Sequence, residues 1–248
     1  MTDTGQGTKR KALDFLEDLS MKKLGCIAKS FHLSDKYSDL TITCRDKVFP
    51  AHRVVVCPQS GYFARACDGA SKVKCVVQSS YENEYPLIAK ESSGKIEIQD
   101  FDPILVEKTL EFLYTGDYIP DLSTYVPPDL GQQPDPSLEP CFHVLMYQQG
   151  AYFQIPELKV KAKDTFAKTF LVNPQKRSLV AAIQQVYEST TGWDDLKKLM
   201  LQQIVENAKI LYKAKSQVIP LKAIKEIPEF ATEVAHFSLY RLGNVVEK

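Results

Sequence analysis

One stretch, Ser38 to Asp68 (SDLTITCRDKVFPAHRVVVCPQSGYFARACD), constrains the fold more than any other part of the chain. Leu40, Ile42 and Cys44 point to one side of an extended segment and Thr41 and Thr43 to the other, the period of a strand buried on one face. Arg45-Asp46-Lys47 supplies a tight polar turn. Val48-Phe49 is a short return strand, and Pro50, with no N–H to donate, is expected to end the ladder. A short helix carrying Val54, Val55 and Val56 follows and stops before Pro58, because proline disfavours helical geometry in the residue ahead of it. Ser60 then caps a second helix whose apolar positions Phe63, Ala66 and Cys67 fall at i, i+3 and i+4, with Gly69 placed to end it.

The same grammar continues downstream. Lys95 to Asp100 alternates as a strand, and Asp100 or Asp102 caps a helix begun by Pro103. Ile104, Leu105, Thr109, Phe112 and Leu113 give that helix its apolar face, and Gly116 ends it. Between the second helix and this strand, Ala70 to Ser93 reads as an insertion. Within it Lys74 to Gln78 is predicted as an extra edge strand and Ser79 to Pro86 as loop. Gly94-Lys95 is no phosphate loop, because the upstream glycine is missing and Ile96 stands where the Ser/Thr ligand belongs. Ile119 to Pro140 holds Pro120, Pro127, Pro128, Pro134, Pro136 and Pro140, and reads as a loop.

Composition excludes several classes of function. The chain has 31 Lys and Arg against 31 Asp and Glu, so no overall field draws it to nucleic acid or to an anionic membrane. No run approaches the ~20 apolar residues of a membrane span, and no apolar core of a secretory signal opens the sequence. Six Cys occur without a C-x-x-C pair. Cys44, Cys57 and Cys67 sit in apolar strand or helix faces, as small hydrophobes do in a reducing compartment. An intracellular protein is expected. Neither G-x-S-x-G nor H-E-x-x-H is present, so no enzyme activity, metal or cofactor is expected. His52, with no nucleophile or carboxylate beside it in a known motif, reads as packed structure. Zinc held by His52 with Cys57, Cys67 and Cys75 is disfavoured, since apolar packing already accounts for the first two thiols.

The two stretches together resemble the BTB/POZ domain. Its pattern of Asp before an alternating strand, then Phe-x-Ala-His-Arg/Lys, then Ser-x-Tyr-Phe, appears here as Asp39, Phe49, Ala51, His52, Arg53, Ser60, Tyr62 and Phe63. Leu110 to Tyr118, with Tyr114 and Gly116, is similar to the signature that closes the third helix, especially in the large set of fungal BTB proteins. Tyr152 to Leu158 resembles the end of the fourth helix, with Gly150 where that pattern has Ala. The resemblance implies an α+β fold: a short β-sheet capped by a helical cluster, followed by a small all-helical extension. The expected limits are an N-terminal helical segment with a disordered start over 1–30, the BTB/POZ domain over 31–172 with insertions at 70–93 and 119–140, and the extension over 173–248.

Function follows from the resemblance in the same conditional sense. A BTB domain implies a protein-protein interaction module that homodimerises, with Asp39 and Arg53 as the paired charges of the dimer groove. It also implies a substrate adaptor that brings a client protein to the cullin scaffold of a ubiquitin ligase. Ile119 and Asp121 are the nearest match to the hydrophobic-x-acidic docking residues after the third helix. The alternative is a nuclear, transcription-associated regulator that uses the same face without a cullin.

At the ends of the chain the pattern is helical. Leu13, Leu16, Leu19, Leu24 and Ile27 suggest two short helices, and Lys9-Arg10-Lys11 is a solvated cluster. Downstream, Leu179, Ala182, Ile183, Val186 and Tyr187 form one amphipathic helix. Leu196, Leu199, Met200, Ile204, Ala208 and Leu211 form a longer one. Phe230, Val234, Phe237 and Tyr240 lie along the last.

Overall fold

The computed structural model describes residues 25–68, 94–122, 136–172, 176–188, 193–213, 216–219 and 221–246. The expectations for Leu13, Leu16, the basic trio, Gly69, the insertion at 70–93 and most of the loop at 119–140 lie outside them. The described residues divide into two compact units, one ending at Ile119 and the other starting at Pro120.

In the first unit, helical residues 25–30 (α1) precede a hairpin of β1, Leu40–Cys44, and β2, Lys47–Ala51. Then come α2 (Arg53–Val56), α3 (Gly61–Cys67), β3 (Lys95–Ile98) and α4 (Pro103–Thr115). The sheet runs β2-β1-β3, with β1 antiparallel to β2 and parallel to β3. Ile42 faces Phe49 on one side and Ile96 on the other, while Leu40 faces Ala51 and Cys44 faces Ile98. All seven of these side chains are buried. The two-residue alternation of the sequence thus becomes three apolar rows across the strands.

Pro50 does not end the ladder. β2 continues through it to Ala51, with Thr41 opposite Pro50. The Thr41 N–H goes to the Gly94 carbonyl at 2.7 Å, on the β3 side. Thr41 therefore turns its backbone groups away from β2, and its neighbour Pro50 turns its nitrogen to the outer edge, where a missing N–H breaks no ladder bond. The hairpin turn is also tighter than expected. Arg45, at φ 52°, and Asp46 make it, and Lys47 already pairs with Cys44.

Capping residues are where the sequence places them. The Ser60 Oγ accepts the Phe63 N–H, and an Asp102 carboxylate oxygen accepts the Ile104 N–H ahead of Pro103. Gly116 closes α4 at φ 75° with its N–H on the Phe112 carbonyl. A left-handed residue at that point favours glycine. The apolar faces differ in detail. Only Val56 of the three valines is buried and Val54 is 81% exposed, while α3 is anchored by Tyr62 and Phe63 rather than by Ala66 and Cys67.

In the second unit a 3-10 turn over Pro136–Leu138 leads into α5 (Glu139–Tyr152), then α6 (Pro156–Thr169), α7 (Lys176–Glu188) and α8 (Asp194–Glu206). Short α9 (Ala208–Leu211), a two-residue hairpin of β4 (Tyr212–Lys213) and β5 (Ser216–Gln217), α10 (Leu221–Glu226) and α11 (Pro228–Val246) complete it. Pro136 and Pro140 therefore belong to the start of a helix and not to the loop, because a proline in the first turn has no intrahelical N–H to lose. Pro140, Phe142, Val144, Met146 and Tyr147 are buried along α5.

The α5–α6 corner has a consequence for Gly150. Ile155 donates to the Gly150 carbonyl at 2.8 Å and Gln154, at φ 54°, donates to Ala151. This is a Schellman end, with glutamine in the left-handed position that usually holds glycine. The turn brings α6 back so closely that a Cβ on Gly150 would lie 2.8 Å from the Lys159 nitrogen. Glycine for alanine is thus a requirement of this packing and not a neutral exchange of small residues. Farther along, the Tyr147 hydroxyl binds Asp195, which Lys163 also reaches at 3.0 Å. On α11, Phe230 is buried and Val234 and Phe237 are half-buried, but Tyr240 is 64% exposed, against the expected core position.

Candidate interaction site

His52 is where the two signature stretches meet. It stands between β2 and α2, 5% exposed, and both ring nitrogens and the backbone N–H have partners. Nε2 lies 2.8 Å from the Lys36 carbonyl oxygen, an acceptor only, so Nε2 carries the proton. Nδ1 is then an acceptor, and it takes the Tyr114 hydroxyl proton at 2.7 Å. The same hydroxyl oxygen accepts the His52 backbone N–H at 2.8 Å. Burial, with Asp39 nearby, raises the Tyr114 phenol to about 12, against the opposing effect of the His52 N–H. It stays protonated at neutral pH and able to donate. The histidine is a structural joint, as its sequence context indicates, and its partner is the tyrosine of the second signature.

The rest of that signature holds the chain as it leaves α4. The Thr115 hydroxyl reaches the Glu111 and Asp117 carbonyls, and the Asp117 carboxylate accepts the Tyr118 N–H at 2.8 Å. Tyr118 is thereby directed inward, 5% exposed, and Ile119 outward, 73% exposed. Asp121, expected on an exposed loop, is half-buried. The Gln59 amide, which sequence reasoning did not single out, bridges the Val55 and Leu113 carbonyls at 2.7 and 2.8 Å and fastens α2 to the end of α4.

Asp39 and Arg53 do meet, but not as an ion pair. An Asp39 carboxylate oxygen accepts the Arg53 backbone N–H at 2.8 Å, satisfying an amide of the first turn of α2 that the His52 side chain leaves uncapped. The Arg53 guanidinium lies beside Gly94, whose φ of 68° and close contact with the Asp39 carbonyl favour glycine there. Gly94-Lys95 thus owes its glycine to the entry into β3. Phe49, Ser60, Tyr62 and Phe63 of the first signature are buried.

A strap over residues 31–38 was not legible as part of the site. Phe31 packs on the His52 ring with centroids 5.3 Å apart and meets Tyr37 edge-on at 6.0 Å, and His32 lies against Tyr114 at 5.7 Å. Leu33 and Tyr37 both have positive φ, at 55° and 64°. The available signal was Ser34 and Ser38, whose hydroxyls bond the backbone of Lys36 and Asp35 as turn-forming serines do. Ile27 at 54%, Leu33 at 43% and Tyr37 at 74% stand exposed on the segment that reaches His52, and Val54 at 81% on the helix that follows it; Val48 of β2 is exposed as well, at 61%.

Among the described residues no group of three or more His, Cys, Asp or Glu is placed to hold a metal ion, and no helix is long and apolar enough to cross a membrane. A comparison with curated proteins finds no match. The BTB/POZ domain model matches residues 28–128, a span that contains the strap, both signatures and the His52–Tyr114 joint, and the chain therefore carries a BTB/POZ domain, a protein-protein interaction module.

Proposed function

We propose that the BTB unit is a homodimerising adaptor that presents client proteins to a cullin scaffold inside the cell. The observation that carries the self-association is the exposure of Ile27, Leu33, Tyr37 and Val54 around a joint that is itself fully hydrogen-bonded. Large apolar groups left on a rigid surface favour a protein partner, and a twofold contact uses the same patch twice. Asp39, which holds the Arg53 N–H at the start of the helix that carries Val54, would bring the paired charges of the dimer groove to this face. Docking of a cullin rests on Ile119, held outward by the Thr115–Tyr118 turn, while the half-burial of Asp121 leaves the apolar residue as the principal anchor.

Light scattering across a concentration series tests the first part: a mass twice the 28.0 kDa of the chain is expected, and monomer throughout refutes it. A pull-down with a cullin N-terminal region tests the second, using wild type and Ile119→Asp at matched folded concentration. Capture by wild type and its loss in the variant is the expected result. If the wild-type dimer captures no cullin, the adaptor role is wrong and a regulator that binds other proteins through this face replaces it.

A further inference from the structure

Surface helices normally carry charges along their solvent face, and the middle of α11 carries none. From Val234 to Tyr240 it has no Asp, Glu, Lys or Arg. The charged residues that flank this run are engaged by other elements of the same unit: Glu229 with Lys197, Glu233 with the Tyr187 hydroxyl, and Arg241 with Glu206. What faces solvent is Thr232, Ala235, His236, Leu239, Tyr240 and Gly243, a stripe at helical spacing with Leu239 69% and Tyr240 64% exposed. Gly243 adds an independent sign. A Cβ there would touch nothing within 4 Å, so the chain's own packing does not ask for glycine, which costs a helix about 1 kcal/mol relative to alanine. Close approach by another molecule does ask for it.

We propose that this stripe pairs antiparallel with the same stripe of a second copy of the chain, about a twofold axis between Phe237 and Ser238. That register sets Tyr240 against Ala235, Leu239 against His236, and Gly243 against Thr232, so the bulkiest side chain meets a small one and glycine lies at each end. A twofold contact brings like to like, and a charged stripe would repel itself; this one has no formal charge to oppose. Six residues over three turns fall well short of the ~800 Å² per partner of a lasting complex. The pairing is therefore weak alone and is strengthened wherever another contact already holds two copies together. It goes beyond the BTB dimer and does not require it.

Trapping reads the contact directly. The full chain, with the exposed Cys26 changed to Ser, is made as a His236→Cys protein and a Leu239→Cys protein. The two are mixed at high micromolar concentration and oxidised mildly with copper-phenanthroline. A disulfide-linked dimer several-fold above the yield of either protein alone is expected, falling to that background when Tyr240→Glu is added to both. Equal yields from the mixture and the single variants, or a mixture indifferent to Tyr240→Glu with helicity unchanged, overturns the proposal. Light scattering of the unoxidised Tyr240→Glu protein, in which the stripe is disabled, reports the BTB dimer separately, so the two readings fail independently.

Discussion

Tyr114→Phe removes one oxygen and, on this structure, two hydrogen bonds. The hydroxyl donates to His52 Nδ1 and accepts the His52 N–H, both on a residue 5% exposed, and the rest of the ring remains to fill its place. The loss is therefore not that of an average hydrogen bond but of stranding a buried donor and a buried acceptor, at roughly 1 to 3 kcal/mol each. Removing a buried hydroxyl recovers part of this, so a net destabilisation of about 2 to 4 kcal/mol is expected. A neutral imidazole has no second option, because turning Nδ1 into a donor requires Nε2 to give up the Lys36 carbonyl. Urea unfolding followed by circular dichroism gives the magnitude, and amide exchange at His52 gives the location. A change below about 0.5 kcal/mol at unchanged m, with His52 exchange as slow as in wild type, would refute the shared-hydroxyl account.

Other expectations lie in the second unit. Burial, with Lys161 nearby, lowers the His143 pKa to about 4 from 6.5, so the unfolded chain binds the proton first; stability is intact above pH 6.5 and falls by roughly 3 kcal/mol by pH 4. Denaturation across that range should show this slope in wild type and its absence in His143→Gln. Gly150→Ala gains about 1 kcal/mol of helix propensity but drives a methyl into the Lys159 backbone, for a net loss of about 1 to 2 kcal/mol by urea midpoint; a gain would mean that α6 yields. Gln154→Gly relieves a left-handed non-glycine and should stabilise by up to about 1 kcal/mol, measured as a rise in the same midpoint.

Local chemistry was legible and long-range pairing was not. Ser60, Asp102 and Gly116 declare their roles within a turn or two, through an oxygen that reaches an amide or a missing Cβ, and the structure places each as a cap. The alternation of Leu40, Ile42 and Cys44 likewise needs no distant knowledge. His52 and Tyr114 are 62 positions apart, and nothing in either signature says that one hydroxyl serves two polar groups of the other. Asp39 and Arg53 suggested opposite charges, whereas the carboxylate found a backbone amide, a donor that every residue carries and composition cannot reveal. The resemblance marked where α5 ends, at Tyr152, but its capping was hidden for a related reason: the residue in the left-handed position that usually holds glycine is Gln154, and the glycine present, Gly150, answers to α6 instead.

Pro50 bears on how this protein behaves in a crowd. A sheet edge is a template on which other strands grow, and among the described residues β2 is such an edge. Of its five residues, Lys47, Phe49 and Ala51 turn their backbone groups toward β1, leaving Val48 and Pro50 to face outward. Since proline has no N–H, an arriving strand finds a single donor, at Val48, where a regular edge of this length would offer two. At the opposite edge β3 is only four residues long and carries the charged Lys95 and Glu97. Neither flank is a good seed for fibrous growth, so large apolar side chains can stand in the open for a folded partner with little risk that the backbone recruits an unfolded one.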